Sequence, residues 1–103
     1  MVYICVLRSK KDDAWYTGWT RDLRKRFKAH QDGRVRATSY RRPLEIVYYE
    51  ACLSQEDAKR RERYLKTGRG KFCLHKRLAS WCRSNKLKRY SLAQAGSNKL
   101  ERY

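Results

Sequence analysis

The residues of this sequence that could carry chemistry are two phenols, a guanidinium, an imidazole and a carboxylate: Tyr3, Tyr16, Arg26, His30 and Glu62. A guanidinium presents a rigid fork to the oxygens of a phosphate. A carboxylate is a ligand that Mg²⁺ prefers, and a phenol or an imidazole can accept a proton from an attacking water. Together these groups could hydrolyse a phosphodiester bond.

Arg26 and His30 lie four residues apart in a segment with helical periodicity, so both side chains point along one helix face. Leu23, Phe27 and His30 form the apolar stripe of that helix, and Arg26 flanks the stripe. An arginine there can hold a phosphate or can be an ordinary surface charge. His30 can act as a base or phosphate contact, or it can be a half-buried packing histidine.

Glu62 is a lone carboxylate in the basic stretch "KRRERYLK". Ala58 and Leu65 share its stripe at helical spacing, which predicts that Glu62 faces the core side of its helix. A carboxylate in that position needs a partner. The partner can be an internal arginine, which would make a buried ion pair, or a hard divalent cation such as Mg²⁺.

The two tyrosines lie in predicted neighbouring strands, and an antiparallel hairpin can bring Tyr3 and Tyr16 side by side. Packing alone also explains a tyrosine in a strand. A phenol has a reference pKa near 10, so it is a poor base unless nearby positive charge lowers that pKa.

The elements that position these residues follow from apolar patterning and turn signals. "VYICVL" and "WYTGWT" predict an antiparallel hairpin over residues 2–20, and Thr20 or Asp22 can cap the helix that follows, with Gly33 after its end. "PLEIVYYEAC" predicts a third strand over 43–52. A helix over 55–66, a break at "TGRGK" and a third helix in "KFCLHKRLASWC" complete the order β-β-α-β-α-α. This order predicts an α/β (α+β) sandwich with a three-stranded antiparallel sheet.

The net charge is +17, from 27 Lys and Arg against 10 Asp and Glu. Such a surplus indicates a polyanionic partner, and nucleic acid fits best because phosphate contacts release condensed counterions. No predicted helix has a broad apolar face for a membrane surface, and "MVYICVL" is too short for a secretory signal. We therefore expect DNA as partner, no membrane, and a cytoplasmic location.

Contacts to the phosphate backbone of DNA are expected from basic side chains beside the third strand and around the "TGRGK" segment: Arg41, Arg42, Lys66, Arg69 and Lys71. Such contacts carry little base specificity and weaken steeply with salt. The four cysteines show no C-x-x-C spacing, so we expect packing thiols rather than a zinc site or a disulfide framework. The chain ends in a basic tail in which "SNKLKRY" returns as "SNKLERY". That tail is either a partly disordered duplication or a nucleic-acid-gripping extension.

Several short motifs occur in an order typical of one family. "VYI" at 2–4 and "YTG" at 16–18 precede Arg26, His30 and Glu62, and "RERYLKTGRG" extends the pattern. In this order the sequence resembles the GIY-YIG nuclease superfamily, and within it the small single-domain bacterial branch with its "VYILRS" motif. The resemblance reaches residue 78 and implies a nuclease domain over 1–78, with residues 79–103 forming the end of the last helix and the basic tail.

The resemblance implies a divalent-metal-dependent endonuclease that hydrolyses DNA, as in excision-repair incision enzymes, homing endonucleases and nucleases that resolve branched DNA. It assigns Tyr3 and Tyr16 as motif tyrosines, Arg26 as catalytic arginine and Glu62 as the ligand of one Mg²⁺ or Mn²⁺ ion. His30 matches a position that holds His or Tyr. A non-catalytic basic nucleic-acid-binding module is the alternative, and an RNA- or ribosome-associated protein is a weaker one. A domain this small could need a protein partner or a homodimer for specificity, although no residue indicates one.

Overall fold

The computed structural model describes residues 1–85. The fold has two compact units: Met1–Glu62 form one, and residues 63–85 belong to the other. The expectations for the repeated tail concern residues 86–103 almost entirely and lie outside the described residues.

The first unit is built on a three-stranded antiparallel sheet. Strand β1 (Val2–Ser9) lies between β2 (Trp15–Thr20) and β3 (Leu44–Cys52), and it is antiparallel to both. The hairpin predicted for residues 2–20 is therefore confirmed. Ser9 shapes the connecting turn, because its Oγ accepts hydrogen bonds from the backbone N–H groups of Lys11 and Asp12 at 3.1 and 3.3 Å.

Both faces of the central strand are buried. Ile4 and Val6, which point to one face, expose 1% and 0% of their surface, and Cys5 and Leu7 on the other face expose 2% and 0%. A strand covered on both sides reads as a continuous apolar run, as "VYICVL" does. Complete burial of an aliphatic side chain contributes about 1.5–3 kcal/mol, so β1 supplies much of the core of this unit.

Helix α1 (Leu23–Gln31) begins at an aspartate cap and ends at a glycine. Asp22 accepts a hydrogen bond from the backbone N–H of Lys25 at 3.0 Å, which satisfies one of the open donors of the first turn. Gly33 has a φ of +78°, and a Cβ there would lie 2.7 Å from the guanidinium carbon of Arg42. Both expected boundary signals are therefore confirmed, Asp22 rather than Thr20 being the cap.

The segment between α1 and β3 is fastened to the sheet. It contains a short 3₁₀ helix, Ser39–Arg41. The Ser9 hydroxyl donates to the carbonyl of Arg41 at 2.6 Å, and the Gln31 side-chain oxygen accepts from the N–H of Leu44 at 3.0 Å. These bonds hold both ends of the segment, so the backbone that carries Arg41 and Arg42 is held in place.

Three more helices follow: α2 (Gln55–Leu65), α3 (Gly68–Arg77) and α4 (Ala79–Ser84). The predicted break between the second and third helices is present, but it is shorter than "TGRGK", because α2 ends at Leu65 and α3 begins at Gly68. Thr67 caps it by accepting from the N–H of Gly70 at 3.1 Å. The predicted single helix through Cys82 is two helices that meet at Leu78.

The predicted α/β sandwich with a three-stranded antiparallel sheet is confirmed, with β-β-α-β-α-α as its leading order and α4 added at the end. Within residues 1–85, none of the helices has the length and apolar character needed to cross a membrane.

Candidate active site

The register of the hairpin decides which β1 and β2 side chains share a face. Cys5 pairs with Gly18, and Leu7 pairs with Tyr16. Directly paired residues of an antiparallel sheet point to the same face, and so does every second residue along a strand. Tyr3, Cys5 and Tyr16 therefore lie on one face of the sheet.

The expectation that the two tyrosines stand side by side is wrong. Tyr3 pairs with Thr20, whereas the partner of Tyr16 is Leu7, four residues further along β1. At about 3.4 Å per residue and about 4.8 Å between strands, their Cα atoms are about 14 Å apart. The turn sets this register, and Cys5 occupies the position between the two tyrosines.

Arg26 is the charged centre of this face. It is half-buried on α1, and its Nε is a buried atom with no hydrogen-bond partner among the described residues. Its positive charge acts to lower the pKa of the Cys5 thiol and that of the His30 ring. The guanidinium thus lies close to both side chains.

Cys5 is the residue that sequence reasoning missed. Burial raises the pKa of its thiol to about 11, with Arg26 acting to lower that pKa and Glu62 acting to raise it further. Both charges of the candidate site therefore act on one buried side chain. The signal was available: "ICVLRS" fits "VYILRS" without a gap and places Cys5 where the motif has tyrosine.

Glu62 is half-buried on α2, and Ala58 and Leu65 of its stripe are almost fully buried, at 0% and 1% exposure. Its negative charge acts on the Cys5 thiol, as the positive charge of Arg26 does. Glu50 forms an ion pair with Arg61 of the same helix at 2.9 Å.

The donor chemistry fits a magnesium-type ion better than a zinc-type ion. Among residues 1–85, no group of three or more His, Cys, Asp and Glu side chains could hold a metal. Mg²⁺ keeps several waters and is typically bound through one or two carboxylates together with substrate phosphates. A single carboxylate, Glu62, is compatible with that mode of binding.

His30 is more deeply buried than either expected role, a base or phosphate contact or a half-buried packing residue, requires. Its side chain is fully buried, and its Nδ1 lies 2.7 Å from the hydroxyl of Thr38. Burial, and secondly the charge of Arg26, lowers its pKa to about 4, so the ring is neutral at pH 7. A side chain without exposed surface does not reach a substrate, and we therefore assign His30 to holding α1 and Thr38 together beside Arg26.

The expected DNA contacts of the first unit serve the fold as well. Arg41 forms an ion pair with Asp12 at 2.8 Å. Arg42 donates from Nε to the carbonyl of Ser39 at 2.9 Å and lies over Gly33. Both arginines remain exposed, so their second function, contact with DNA phosphates, stays a prediction.

The remaining three expected DNA contacts belong to the second unit. Lys66 follows α2, while Arg69 and Lys71 lie in the first turn of α3. Arg69 is exposed, and the two lysines are half-buried. The five basic residues are therefore distributed over both units, and their role in binding DNA also stays a prediction.

Tyr16 shares a sheet face with Cys5, and the charges of Arg26 and Glu62 both act on the Cys5 thiol. The comparison with protein families agrees: the model of the GIY-YIG catalytic domain matches residues 1–73, and the chain belongs to this family. The resemblance inferred from the motifs is confirmed, and the family supports a nuclease kind of activity.

Small bacterial proteins are similar to this chain. It is 42% identical to the UPF0213 protein YazA of Bacillus subtilis over 57 residues, which cover 54% of this chain and 58% of YazA. It is also 42% identical to a UPF0213 protein of Clostridium perfringens over 67 residues, 64% of this chain and 71% of that protein. A UPF0213 protein of Staphylococcus saprophyticus is 36% identical over 66 residues, 63% and 79% of the two chains. No solved structure matches at a significant level.

Proposed function

We propose that the protein is a divalent-metal-dependent endonuclease that hydrolyses DNA phosphodiester bonds. The observation that supports it best is the neighbourhood of Cys5, where the charges of Arg26 and Glu62 act on the same buried thiol. A positive and a negative side chain together can bind a phosphate and the metal ion that accompanies it. The net charge of +17 supplies attraction to the polyanion.

Arg26 binds the scissile phosphate in this proposal. Its side chain is half-buried, so part of it is open to a phosphate oxygen. Negative charge builds on the phosphoryl oxygens as water attacks, so a fixed guanidinium stabilises the transition state more than the ground state. His30 and Thr38 position the helix that carries Arg26, because their 2.7 Å contact joins α1 to the following segment.

Tyr16 orients the attacking water. It shares the face of Cys5 and is two residues from Gly18, the partner of Cys5, so its Cβ lies about 7–8 Å from that of Cys5. The water oxygen bonds to phosphorus and one P–O ester bond breaks. The water proton passes through the phenol to solvent, and the leaving oxygen takes a proton from solvent to become a hydroxyl. Tyr3 is too far along β1 to share this step.

Glu62 would hold the Mg²⁺ or Mn²⁺ ion. When bound, such an ion supplies Lewis-acid polarisation of the phosphate and stabilises the leaving oxygen. The single carboxylate leaves most of the coordination sphere to water and to the substrate. We propose branched or nicked DNA of repair and recombination as the structures that the enzyme cuts.

The test is nicking of supercoiled plasmid and of a labelled branched duplex, with Mg²⁺, with Mn²⁺ and with chelator. We expect Arg26→Lys to lower the cutting rate about 10²- to 10³-fold, as for loss of an oxyanion donor. Glu62→Gln should abolish metal-dependent cutting. Binding of the same DNA should persist in both variants.

Matched controls share the helices of the two test residues. Arg24→Lys changes an exposed arginine of α1, and Glu56→Gln an exposed carboxylate of α2. Both controls should cut at the wild-type rate. Cutting that survives in Glu62→Gln, or that disappears equally in Glu56→Gln, would contradict the assignment.

One observation favours a second candidate, a non-catalytic nucleic-acid-binding module. Cys5 is buried where the motif has tyrosine, and its thiol is neutral at physiological pH. If the missing phenol is needed for chemistry, the protein would bind DNA tightly without cutting it. Absence of cutting on every substrate, with binding intact, would establish this alternative.

A further inference from the structure

We propose that Tyr3 and Tyr49 form a stacking platform for an unpaired nucleobase of a DNA strand that lies along the candidate site. This inference rests on the proposed function, because it names the substrate class of the same sheet face. It assigns a use to an aromatic pair, one exposed ring against one half-buried ring, that the hydrolytic step does not need.

The two rings are held in a defined arrangement. Their centroids are 6.2 Å apart and the planes meet at 61°, an edge-type contact. Tyr49 is exposed over 55% of its surface, although it lies within β3. Edge contact with Tyr3 fixes the ring while much of it faces solvent, so the platform is ordered before any ligand arrives.

Register places this pair beside the phosphate-binding groups. Tyr49 pairs with Cys5, and Cys5 pairs on its other side with Gly18. The row Gly18–Cys5–Tyr49 therefore crosses the three strands on one face, with neighbouring strands about 4.8 Å apart. The charge of Arg26 acts on the Cys5 thiol. Tyr49, on the neighbouring strand, is therefore paired with a residue that the guanidinium approaches.

Charge and shape together indicate a nucleic acid strand. A nucleotide is a phosphate with an aromatic base attached, and here an exposed ring pairs across strands with Cys5, on whose thiol the guanidinium charge of Arg26 acts. Stacking on an aromatic side chain tolerates any base, because every base has a π face. An acidic peptide would satisfy Arg26 but would leave the ring of Tyr49 without a stacking partner.

The platform requires an unpaired base. In a duplex both faces of each base are covered by its neighbours, and a base must leave the stack before a side chain can pack on its face. A strand with unpaired nucleotides next to the cut, as in flaps, bubbles and branch points, presents such bases at no unstacking cost. We therefore infer that the preferred substrates carry unpaired nucleotides beside the scissile bond.

The experiment measures binding without cutting, in chelator and at constant salt. A fluorescent 12-nucleotide DNA strand is compared with an abasic strand that has the same phosphates. Wild type should bind the base-bearing strand about tenfold more tightly, in the range of stacking on one aromatic residue. Tyr49→Leu should reduce this preference to about twofold or less, and Tyr49→Phe should retain it.

Tyr40→Leu is the matched control, since Tyr40 is 81% exposed but belongs to the 3₁₀ helix. It should keep the wild-type preference. Thermal unfolding of all variants checks that each is folded. Equal binding of both strands by wild type, or an unchanged preference in Tyr49→Leu, would overturn the platform. Tighter binding of an RNA strand than of the DNA strand would overturn the assignment to DNA.

The outcome is independent of hydrolysis. If wild type cuts nothing but prefers the base-bearing strand through Tyr49, the platform stands and the proposed enzyme fails. If wild type cuts flap and intact duplex DNA equally and Tyr49→Leu binds as wild type does, the enzyme stands and the platform fails.

Discussion

Lowering the pH should destabilise the protein through His30, and the perturbation that isolates this effect is His30→Asn. The ring is fully buried and has a pKa of about 4, lowered by burial and then by Arg26, against about 6.5 in an unfolded chain. Between these two pKa values, the unfolded state therefore binds a proton at His30 and the folded state does not. The contribution of the neutral His30 ring to the free energy of unfolding is fully present above pH 6.5 and is lost as the pH falls toward 4.

The size of the effect follows from the two pKa values. Linkage gives a loss of about 1 kcal/mol in the free energy of unfolding between pH 7 and 5.5, and of about 2 kcal/mol by pH 5. Asparagine keeps an amide nitrogen near the position of Nδ1 and so can still meet the Thr38 hydroxyl, but it does not titrate. His75, whose pKa is also lowered to about 4 by burial and then by Lys71, contributes in the same direction in both proteins.

Urea unfolding at pH 7, 6, 5.5 and 5 measures the free energy of unfolding for both proteins. Between pH 7 and 5, the free energy of unfolding of the wild type should fall by about 2 kcal/mol more than that of His30→Asn. This difference does not depend on how far the two proteins differ in stability at pH 7. NMR titration of the His30 ring supplies an independent check. Parallel pH profiles for the two proteins, or a His30 pKa near 6.5, would refute the reasoning.

Two further predictions concern packing. Gly70→Ala should destabilise the protein by about 1–3 kcal/mol, because the new Cβ would lie 2.0 Å from the backbone oxygen of Tyr64, which cannot move aside without shifting α2. Denaturant titration measures this cost, and a stability equal to that of wild type would contradict it. Iodoacetamide at pH 8 should label exposed Cys73 in the native protein but label Cys5 only after unfolding, since the thiolate is the reactive form and burial raises the pKa of Cys5 to about 11. Mass spectrometry follows both sites, and early labelling of Cys5 would contradict its burial.

Local sequence signals predicted most of the fold. Asp22 and Gly33 delimit α1 as expected, because a capping carboxylate and a residue with positive φ are properties of the residues themselves. The third strand, predicted over 43–52, is Leu44–Cys52. The start of α3 was not predicted, since Gly68 and Gly70 usually end helices, and only the close approach of Gly70 to the Tyr64 backbone explains its presence.

Sequence patterning predicted the helix positions of Arg26 and Glu62 but not the pairing across the sheet. Arg26 and Glu62 lie where apolar stripes placed them, beside buried helix faces. Register is not a local property: it depends on the turn and on pairing across strands, and it moved Tyr3 away from Tyr16 while placing Cys5 between them. The burial of His30 likewise depends on Thr38, which lies beyond the end of α1 and outside its helical pattern.

The central position of β1 has a consequence for how the site responds to fluctuation. Its residues pair with strands on both sides, so their amide hydrogens should exchange with solvent only in the rarest and largest openings of the first unit. Cys5 lies in the middle of that strand, whereas the basic residues Arg41 and Arg42 lie in the segment between α1 and β3. The proposed reaction site is thereby attached to the slowest-opening part of the sheet.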